Sequence, residues 1–217
     1  MTGQEFISFI KESFPLTPEQ ESRFLALDGL YRDWNSKINV ISRKDIDNLY
    51  AHHVLHSLAI ARYLQLEGIL EVFARSTVLD LGTGGGFPGI PLAILFPSAR
   101  FTLCDSVGKK TVVASAVADA LGLGNVTVVN ARAESLPSKF GYVVSRAVAS
   151  LDNFYPWVRG KFTEGILYLK GGDIGEEISD LTRRCKVSPS RISVWTATPW
   201  LGPDEWFQGK HVVHVRA

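Results

Sequence analysis

Hydrophobic residues in the first seventy positions recur at helical spacing. Residues 17–20 read TPEQ, a capping box with proline at the first helical position, and this pattern predicts the start of a helix. Apolar residues follow it at intervals of three or four at Leu27, Leu30, Tyr31, Trp34 and Ile38. A second apolar series runs from Leu49 to Leu64 and ends near Gly68. The pattern therefore predicts a helical extension over residues 1–70.

From residue 75 the pattern changes to short β-branched runs separated by helical segments. The runs are TVLDLG, RFTLCD, VTVVNA, YVVSRAV, GILYLKG, RISVWTAT and KHVVHVR. Helices are predicted at residues 89–96, 109–122, 151–161 and 175–185. Strands that alternate with helices indicate a mostly parallel sheet covered on both faces. The last two runs have no plausible helix between them, so we expect an antiparallel hairpin at one edge of a seven-stranded sheet within a domain over residues 71–217.

Composition limits the classes of protein that fit. The 217 residues are 46% hydrophobic and 21% charged, which suits a sizeable core. The net charge of +1 disfavours a protein covered in nucleic acid over its whole surface. The two cysteines show no disulfide or zinc spacing, and no apolar run reaches the length of a membrane span. We expect a cytoplasmic protein without membrane or metal, and a monomer.

Three glycines follow the first predicted strand. Gly82, Gly84 and Gly86 precede a helix opened by Pro88. Such a turn lets the backbone approach a ligand and directs N–H groups at the start of a helix toward an anion. A dinucleotide site needs the spacing G-x-G-x-x-G, but Phe87 occupies the third glycine position counted from Gly82.

Asp80 favours a different cofactor. The spacing D-x-G-x-G-x-G begins at this residue, whose carboxylate can face the ammonium group of a methionine moiety, which a pyrophosphate lacks. The dinucleotide spacing is also met from Gly84 to Gly89, but only if the strand is lengthened by two residues and Pro88 lies inside the loop. A tight turn with a purely structural role is the other interpretation. The pattern favours S-adenosylmethionine.

Two further positions fit an adenosyl cofactor. Asp105 ends the second strand, where a carboxylate accepts hydrogen bonds from both ribose hydroxyls; the alternative is a helix N-cap. Ala133 and Glu134 follow the third strand, where backbone and side chain can meet an adenine edge; by itself Glu134 is also compatible with a solvated loop charge. These positions predict a cofactor across the carboxyl ends of three neighbouring strands.

Several segments together resemble one family. LDLGTGGGFPGIPLAI, TLCDSVGKK, ARAESLP and VVSRAVASL resemble the RsmG family, formerly called glucose-inhibited division protein B, which methylates N7 of one guanine in bacterial 16S ribosomal RNA. WNSKINVIS and HHVLHSLAI resemble the helical extension of that family. The resemblance implies a Rossmann-like class I S-adenosylmethionine-dependent methyltransferase fold, with 16S ribosomal RNA or the small subunit as partner.

The resemblance also implies roles for single residues. Gly82 and Phe87 match the cofactor turn, Ala133 and Glu134 match the adenine contact, and Arg146 matches an arginine at the pocket floor. Guanine N7 carries a lone pair and no proton, so the reaction needs no general base. We therefore expect no identifiable catalytic acid or base. Arg146 is the candidate positioning residue, bonded to the cofactor or to guanine O6, and a plain surface arginine is the alternative.

Other polar and aromatic residues have weaker interpretations. His52 and His56 lie one helical turn apart, and an exposed helix face suits them better than a metal site. Tryptophans 195, 200 and 206 suit packing better than base stacking. A basic rim that meets phosphate, or alternatively a solvated surface, is predicted for Lys109, Lys110, Arg132, Lys139 and Lys170. Rival functions are a methyltransferase of another substrate and a cofactor-binding module without turnover.

Overall fold

The N-terminal third of the protein is helical. A computed structural model describes residues 1–136 and 139–217. Its first helices are α1 (Gly3–Lys11), α2 (Pro18–Lys37), α3 (His56–Leu66) and α4 (Leu70–Phe73), and a π-helical segment at Leu49–Leu55 leads into α3.

The predicted capping box begins α2. The backbone N–H of Gln20 donates to the Thr17 hydroxyl at 3.2 Å, and the backbone N–H of Thr17 donates to the Gln20 side chain at 2.9 Å. These bonds satisfy backbone groups that the first helical turn leaves without partners. The predicted start of this helix is confirmed, and the helix ends one residue before Ile38, whose backbone is extended.

Seven strands form one sheet. They are β1 (Thr77–Leu81), β2 (Arg100–Asp105), β3 (Val126–Asn130), β4 (Phe140–Arg146), β5 (Phe162–Gly171), β6 (Ile192–Thr196) and β7 (Lys210–Arg216). Their spatial order is β3-β2-β1-β4-β5-β7-β6, with β1 to β5 parallel and β7 antiparallel to both of its neighbours. The predicted parallel sheet with a C-terminal antiparallel hairpin is confirmed.

Four helices connect the parallel strands and the hairpin. They are α5 (Gly89–Leu95), α6 (Gly108–Ala120), α7 (Leu151–Val158) and α8 (Gly175–Cys185). A short helix, α9 (Thr198–Leu201), lies between β6 and β7, so the expectation of no helix there is wrong. Its four residues are too few for a periodic apolar pattern to show it.

The two faces of the sheet belong to two apolar clusters. Val78 points into one cluster and Leu79 into the other, as expected for alternating side chains in a strand. The first cluster includes Phe24 and Leu27 of α2 together with Ile94 of α5. The boundary near residue 70 therefore separates helical from α/β structure but does not separate two cores.

The order of the strands determines where a ligand can bind. Connections from β1 lead toward β2 and β3 on one side, whereas β4 and β5 lie on the other side. In open α/β sheets a crevice forms at such a reversal, outside the carboxyl ends of the strands. Within the described residues, no helix is long and apolar enough to span a membrane.

Candidate active site

A cavity of about 660 Å³ lies outside the carboxyl ends of β1 to β4. This volume is in the usual range for small-molecule and cofactor sites. The predicted site residues that line it are Gly82, Gly84, Phe87, Asp105, Ala133, Glu134 and Arg146. Asp80 and Gly86 are not among its lining residues.

The glycine turn after β1 forms the floor of this cavity. Gly82 has φ +73°, and a Cβ there would lie 2.3 Å from Cγ2 of Val148. Gly84 has φ +57°, and a Cβ there would meet no atom within 4 Å. A left-handed backbone costs a residue with a Cβ about 1–2 kcal/mol, so both positions favour glycine. Gly84 leaves open space in the cavity that a side chain would fill.

Asp80 lies beneath the turn. Its side chain is fully buried, and Oδ2 accepts hydrogen bonds from the Thr83 hydroxyl at 2.6 Å and from the backbone N–H of Gly89 at 2.8 Å. Burial raises the pKa of this carboxyl to about 7, although the bonds from Thr83 and Gly89 act in the opposite direction. The Asp80 carboxylate holds the turn against the start of α5, and its contact with a ligand stays a prediction.

Gly86 also lies outside the lining. A Cβ at this position would lie 2.4 Å from Cδ1 of Ile90 and 3.0 Å from the hydroxyl of Tyr31. The hydroxyl of Tyr31, which belongs to α2, donates a hydrogen bond to the backbone carbonyl of Gly85 at 2.8 Å. The third glycine therefore allows close packing of the turn against α2 and α5, and a contact between Gly86 and a ligand stays a prediction.

Asp105 connects the end of β2 to the glycine turn. Its Oδ2 accepts a hydrogen bond from the backbone N–H of Gly84 at 2.9 Å, and its Oδ1 accepts one from Val107 at 2.9 Å. The N-cap of α6 is Val107, so the alternative interpretation of Asp105 as the N-cap residue is wrong. The carboxylate lines the cavity and also determines the position of Gly84.

The loop after β3 provides another wall. Ala133 is buried and Glu134 is exposed, at the start of a 3₁₀ turn at Ala133–Ser135. The quoted motif ARAESLP ends at Pro137, which lies outside the described residues. Lys110 and Arg132 from the expected basic rim line the cavity.

The other lysines of the expected rim do not line this cavity. Lys109 and Lys139 are exposed and lie outside its lining. Lys170 forms an ion pair with Glu177 at 2.8 Å and donates to the carbonyl of Ala149 at 3.0 Å. Lys170 therefore holds the loop after β4 in place.

Arg146, at the end of β4, is held on several sides. Its guanidinium donates to the backbone carbonyl of His52 at 3.2 Å and to Nδ1 of His53 at 3.0 Å. The guanidinium carbon lies 5.2 Å from the ring centroid of Phe87, a cation–π contact. Burial lowers the pKa of Arg146 to about 10. The alternative of a plain surface arginine is wrong.

The expectation of an exposed face for His52 and His56 is also wrong. Their exposed fractions are 6% and 4%, because the π-helical segment and α3 pack against the C-terminal residues around Trp206. The His52 ring stacks on Trp206 at 4.2 Å between centroids and bonds to Asp45 through Nδ1 at 2.6 Å. The described residues contain no cluster of three or more His, Cys, Asp or Glu side chains suited to a metal ion.

The tryptophans near the hairpin pack against the core. Trp195, Trp200 and Trp206 are partly buried and contact the first apolar cluster. Trp200 donates its indole N–H to the hydroxyl of Ser13 at 3.3 Å. The packing interpretation is confirmed for all three.

The motifs missed several residues around the cavity. Val40, from the segment after α2, lines it, and a Cβ on Gly85 would lie 2.8 Å from Cγ2 of Val40. His53 adjoins it through Arg146. The sequence HHVLH contains three histidines that could form a cluster. The helical spacing of His52 and His56 indicated that these two lie on one face, and it gave no role to His53.

Comparison with known proteins identifies the family of this chain and agrees with its fold. A family model described as rRNA small subunit methyltransferase G matches residues 20–198. A ribosomal RNA small subunit methyltransferase G from Flavobacterium psychrophilum is 49% identical over 215 residues, which cover 95% of this chain and 96% of the relative. A protein of the same name from Bacteroides fragilis strain YCH46 is 47% identical over 98% of this chain and 93% of its own.

Solved structures show the same fold at low identity. Magnesium protoporphyrin IX methyltransferase from Synechocystis PCC 6803 with bound SAM has a TM-score of 0.60 and 12% identity, over 87% of this chain and 96% of its own. A ribosomal protein L11 methylase from Lactobacillus delbrueckii subsp. bulgaricus has a TM-score of 0.53 and 14% identity, over 75% and 76%. The predicted methyltransferase fold is confirmed, and the chain belongs to the rRNA small subunit methyltransferase G family.

Proposed function

We propose that this protein transfers a methyl group from S-adenosylmethionine to N7 of a guanine in 16S ribosomal RNA. Membership of the family supports an RNA methyltransferase of the small subunit. The main observation in support of the site is the cavity at the carboxyl ends of β1 to β4. The glycine turn, Asp105 and Arg146 all line it.

The residues of the cavity fit an adenosyl sulfonium. Gly84 leaves space for a ligand against its backbone, and the Asp105 carboxylate stands at the end of β2, where ribose hydroxyls can donate to it. Ala133 and Glu134 line the cavity on the side where the adenine would lie. When bound, the cofactor supplies a methyl group on a positively charged sulfur. Gly84, Asp105, Ala133 and Glu134 are the residues that would hold it.

The chemistry of N7 agrees with the groups around the cavity. The lone pair of N7 forms the new bond to the methyl carbon as the carbon–sulfur bond breaks, and the positive charge passes to the base. No proton has to be removed, so the protein contributes by orienting the base and excluding water. An Arg146 N–H directed to guanine O6 would leave N7 free to react.

Replacement of one atom of the substrate tests this assignment. With 7-deazaguanine at the target position, the Watson–Crick edge is preserved and the N7 lone pair is lost. Methyl transfer from radiolabelled S-adenosylmethionine should disappear, with unmodified 16S ribosomal RNA as the control. Persistent methylation of the deaza nucleotide would place the reaction at another atom.

The rival functions predict different results in cells. A strain that lacks the gene should contain 16S ribosomal RNA without one 7-methylguanosine, as measured by mass analysis of nuclease fragments. An unchanged RNA would favour another methyl acceptor or a binding module without turnover.

We further propose that the protein acts as a monomer. Light scattering of the purified protein measures its molar mass in solution and tests this oligomeric state.

A further inference from the structure

Asp45 connects two histidines beside the cavity. Its Oδ2 lies 2.8 Å from Nε2 of His53, and its Oδ1 lies 2.6 Å from Nδ1 of His52. On the opposite edge of the His53 ring, Nδ1 lies 3.0 Å from NH2 of Arg146. Asp45, His53 and Arg146 thus form a continuous chain of hydrogen bonds from the segment after α2 to the cavity lining.

Only one protonation state of His53 satisfies both neighbours. Arginine has N–H donors and no acceptor, so Nδ1 of His53 must carry a lone pair. The carboxylate of Asp45 accepts hydrogen bonds, so Nε2 must carry the proton. A doubly protonated ring would direct an N–H at the guanidinium. The groups that face His53 are Asp45, His52 and Arg146, and burial followed by the charge of Arg146 lowers its pKa to about 4.

We propose that His53 is a positioning residue for methyl transfer: its Nδ1 lone pair, kept free because Nε2–H donates to Asp45, fixes the Arg146 guanidinium against Phe87 at the cavity. This inference rests on the proposed function. Two of the five guanidinium N–H groups are used by His52 and His53. The remaining N–H groups of Arg146 could donate hydrogen bonds to an oxygen atom of the ligand, such as guanine O6 or a carboxylate oxygen.

The position of Arg146 requires such an anchor. An arginine side chain has many rotamers, and a guanidinium held in place in advance loses less rotamer entropy when the ligand binds. Phe87 supports the guanidinium from one side only and does not determine the directions of its N–H groups. The backbone carbonyl of His52 orients an N–H on one terminal nitrogen, and Nδ1 of His53 is the side-chain acceptor that orients an N–H on the other.

Two substitutions test the hydrogen bonds at the two edges of the His53 ring separately. His53→Asn keeps an acceptor at the position of Nδ1, whereas His53→Gln places its amide near the position of Nε2, toward Asp45. We expect His53→Gln to lower kcat/KM for methyl transfer about 10- to 100-fold relative to His53→Asn, the range for one charge-assisted hydrogen bond. His52→Gln is the matched control, because its amide lies near the position of Nε2, so the Nδ1 bond to Asp45 is lost while the His53–Arg146 bond stays in place.

Further measurements distinguish positioning from a structural role. In an Arg146→Lys background the two His53 variants should have equal kcat/KM, because the guanidinium that they orient is gone. Nitrogen NMR of labelled histidine should show His53 as the neutral Nε2–H tautomer from pH 8 to pH 6. Equal kcat/KM for His53→Asn and His53→Gln in the wild-type background, or an Nδ1–H tautomer, would overturn the inference.

The outcome can be separated from failure of the proposed function. If wild-type protein does not methylate 16S ribosomal RNA, the proposed function is wrong, and the tautomer still tests the hydrogen-bond chain. If wild-type protein is active and the variants behave alike, only the positioning role fails. Thermal unfolding of each variant shows whether any loss of activity is a loss of the folded protein.

Discussion

At the residue scale, the cavity depends on side chains that hold the backbone in place. Asp80 and Asp105 both accept hydrogen bonds from backbone N–H groups, at Gly89 and Gly84 respectively. Hydrogen bonds from backbone N–H groups favour the charged form of a carboxyl group, although burial outweighs this effect at Asp80 and raises its pKa. Asp80 and Asp105, which the sequence predicted as cofactor ligands, therefore also determine the shape of the turn.

Gly84 and Gly160 form a matched pair for testing the turn. Both have a positive φ, +57° and +79°, and a Cβ on either would meet no atom within 4 Å. Alanine at either position should lower the free energy of unfolding by about 1–2 kcal/mol because of the left-handed backbone. Only Gly84→Ala should also weaken S-adenosylmethionine binding in calorimetry, because only Gly84 lines the cavity. Equal affinity in both variants would show that the turn is structural only.

The raised pKa of Asp80 predicts a dependence of stability on pH. Its pKa is about 7 in the folded protein, against 3.8 for a free aspartate side chain, so the native state holds this proton more tightly. Between about pH 4 and pH 7 this carboxyl therefore makes the native state less stable as the pH rises. Relative to wild type, Asp80→Asn should gain stability over that range, as measured by urea unfolding. A difference between the two proteins that does not change with pH would contradict the shift.

At the element scale, α2 is attached to the α/β part of the protein by its first turn. Gln20 completes the capping box with Thr17 and also donates its side-chain amide to the carbonyls of Ile94 and Leu95, each at 3.0 Å. These carbonyls end α5, where backbone acceptors lack partners within the helix. One side chain thus satisfies the start of one helix and the end of another.

Thr17→Ala should therefore destabilise the protein by about 1 kcal/mol, the usual cost of losing an N-cap. Thr2→Ala is the control, because Thr2 forms the same kind of capping box with Glu5, and both residues are exposed at the start of α1. We expect the Thr2 variant to cost less, since among the described residues the Glu5 side chain bonds only to Thr2, whereas Gln20 also bonds to α5. Chemical unfolding of both variants measures the difference, and equal losses would show that the link to α5 contributes nothing.

At the scale of the whole molecule, the helical extension and the sheet share one apolar cluster. Fully buried Phe6 and Phe24 from the first helices belong to the same cluster as Phe101 and Val78 from the sheet. The extension also contributes Val40 to the cavity lining. The extension therefore completes both the core and the site.

The division at residue 70 can be tested by truncation. A fragment of residues 71–217 would expose the sheet face and the helices that α1 to α3 cover, so we expect it to be insoluble or to lack a cooperative thermal transition. The full chain should unfold in one transition with equal calorimetric and van't Hoff enthalpies. A truncated fragment with its own sharp transition would show that the α/β part folds independently.

The sequence by itself determined the local features of this protein. Alternating strands and helices predicted the sheet, TPEQ predicted the start of α2, and the glycine spacing predicted the turn at the cavity. These features follow from backbone geometry and from neighbours a few residues apart, so a local pattern contains the physical information that they need.

Only the tertiary structure decided which side chains meet. Arg146 bonds to His53, 93 residues earlier in the chain, and Tyr31 bonds to the carbonyl of Gly85, 54 residues later. The burial of Asp80 beneath the turn and of His52 against Trp206 likewise depends on how helices pack on the sheet. Desolvation and long-range hydrogen bonds change the chemistry of these groups, and both exist only after distant segments have come together.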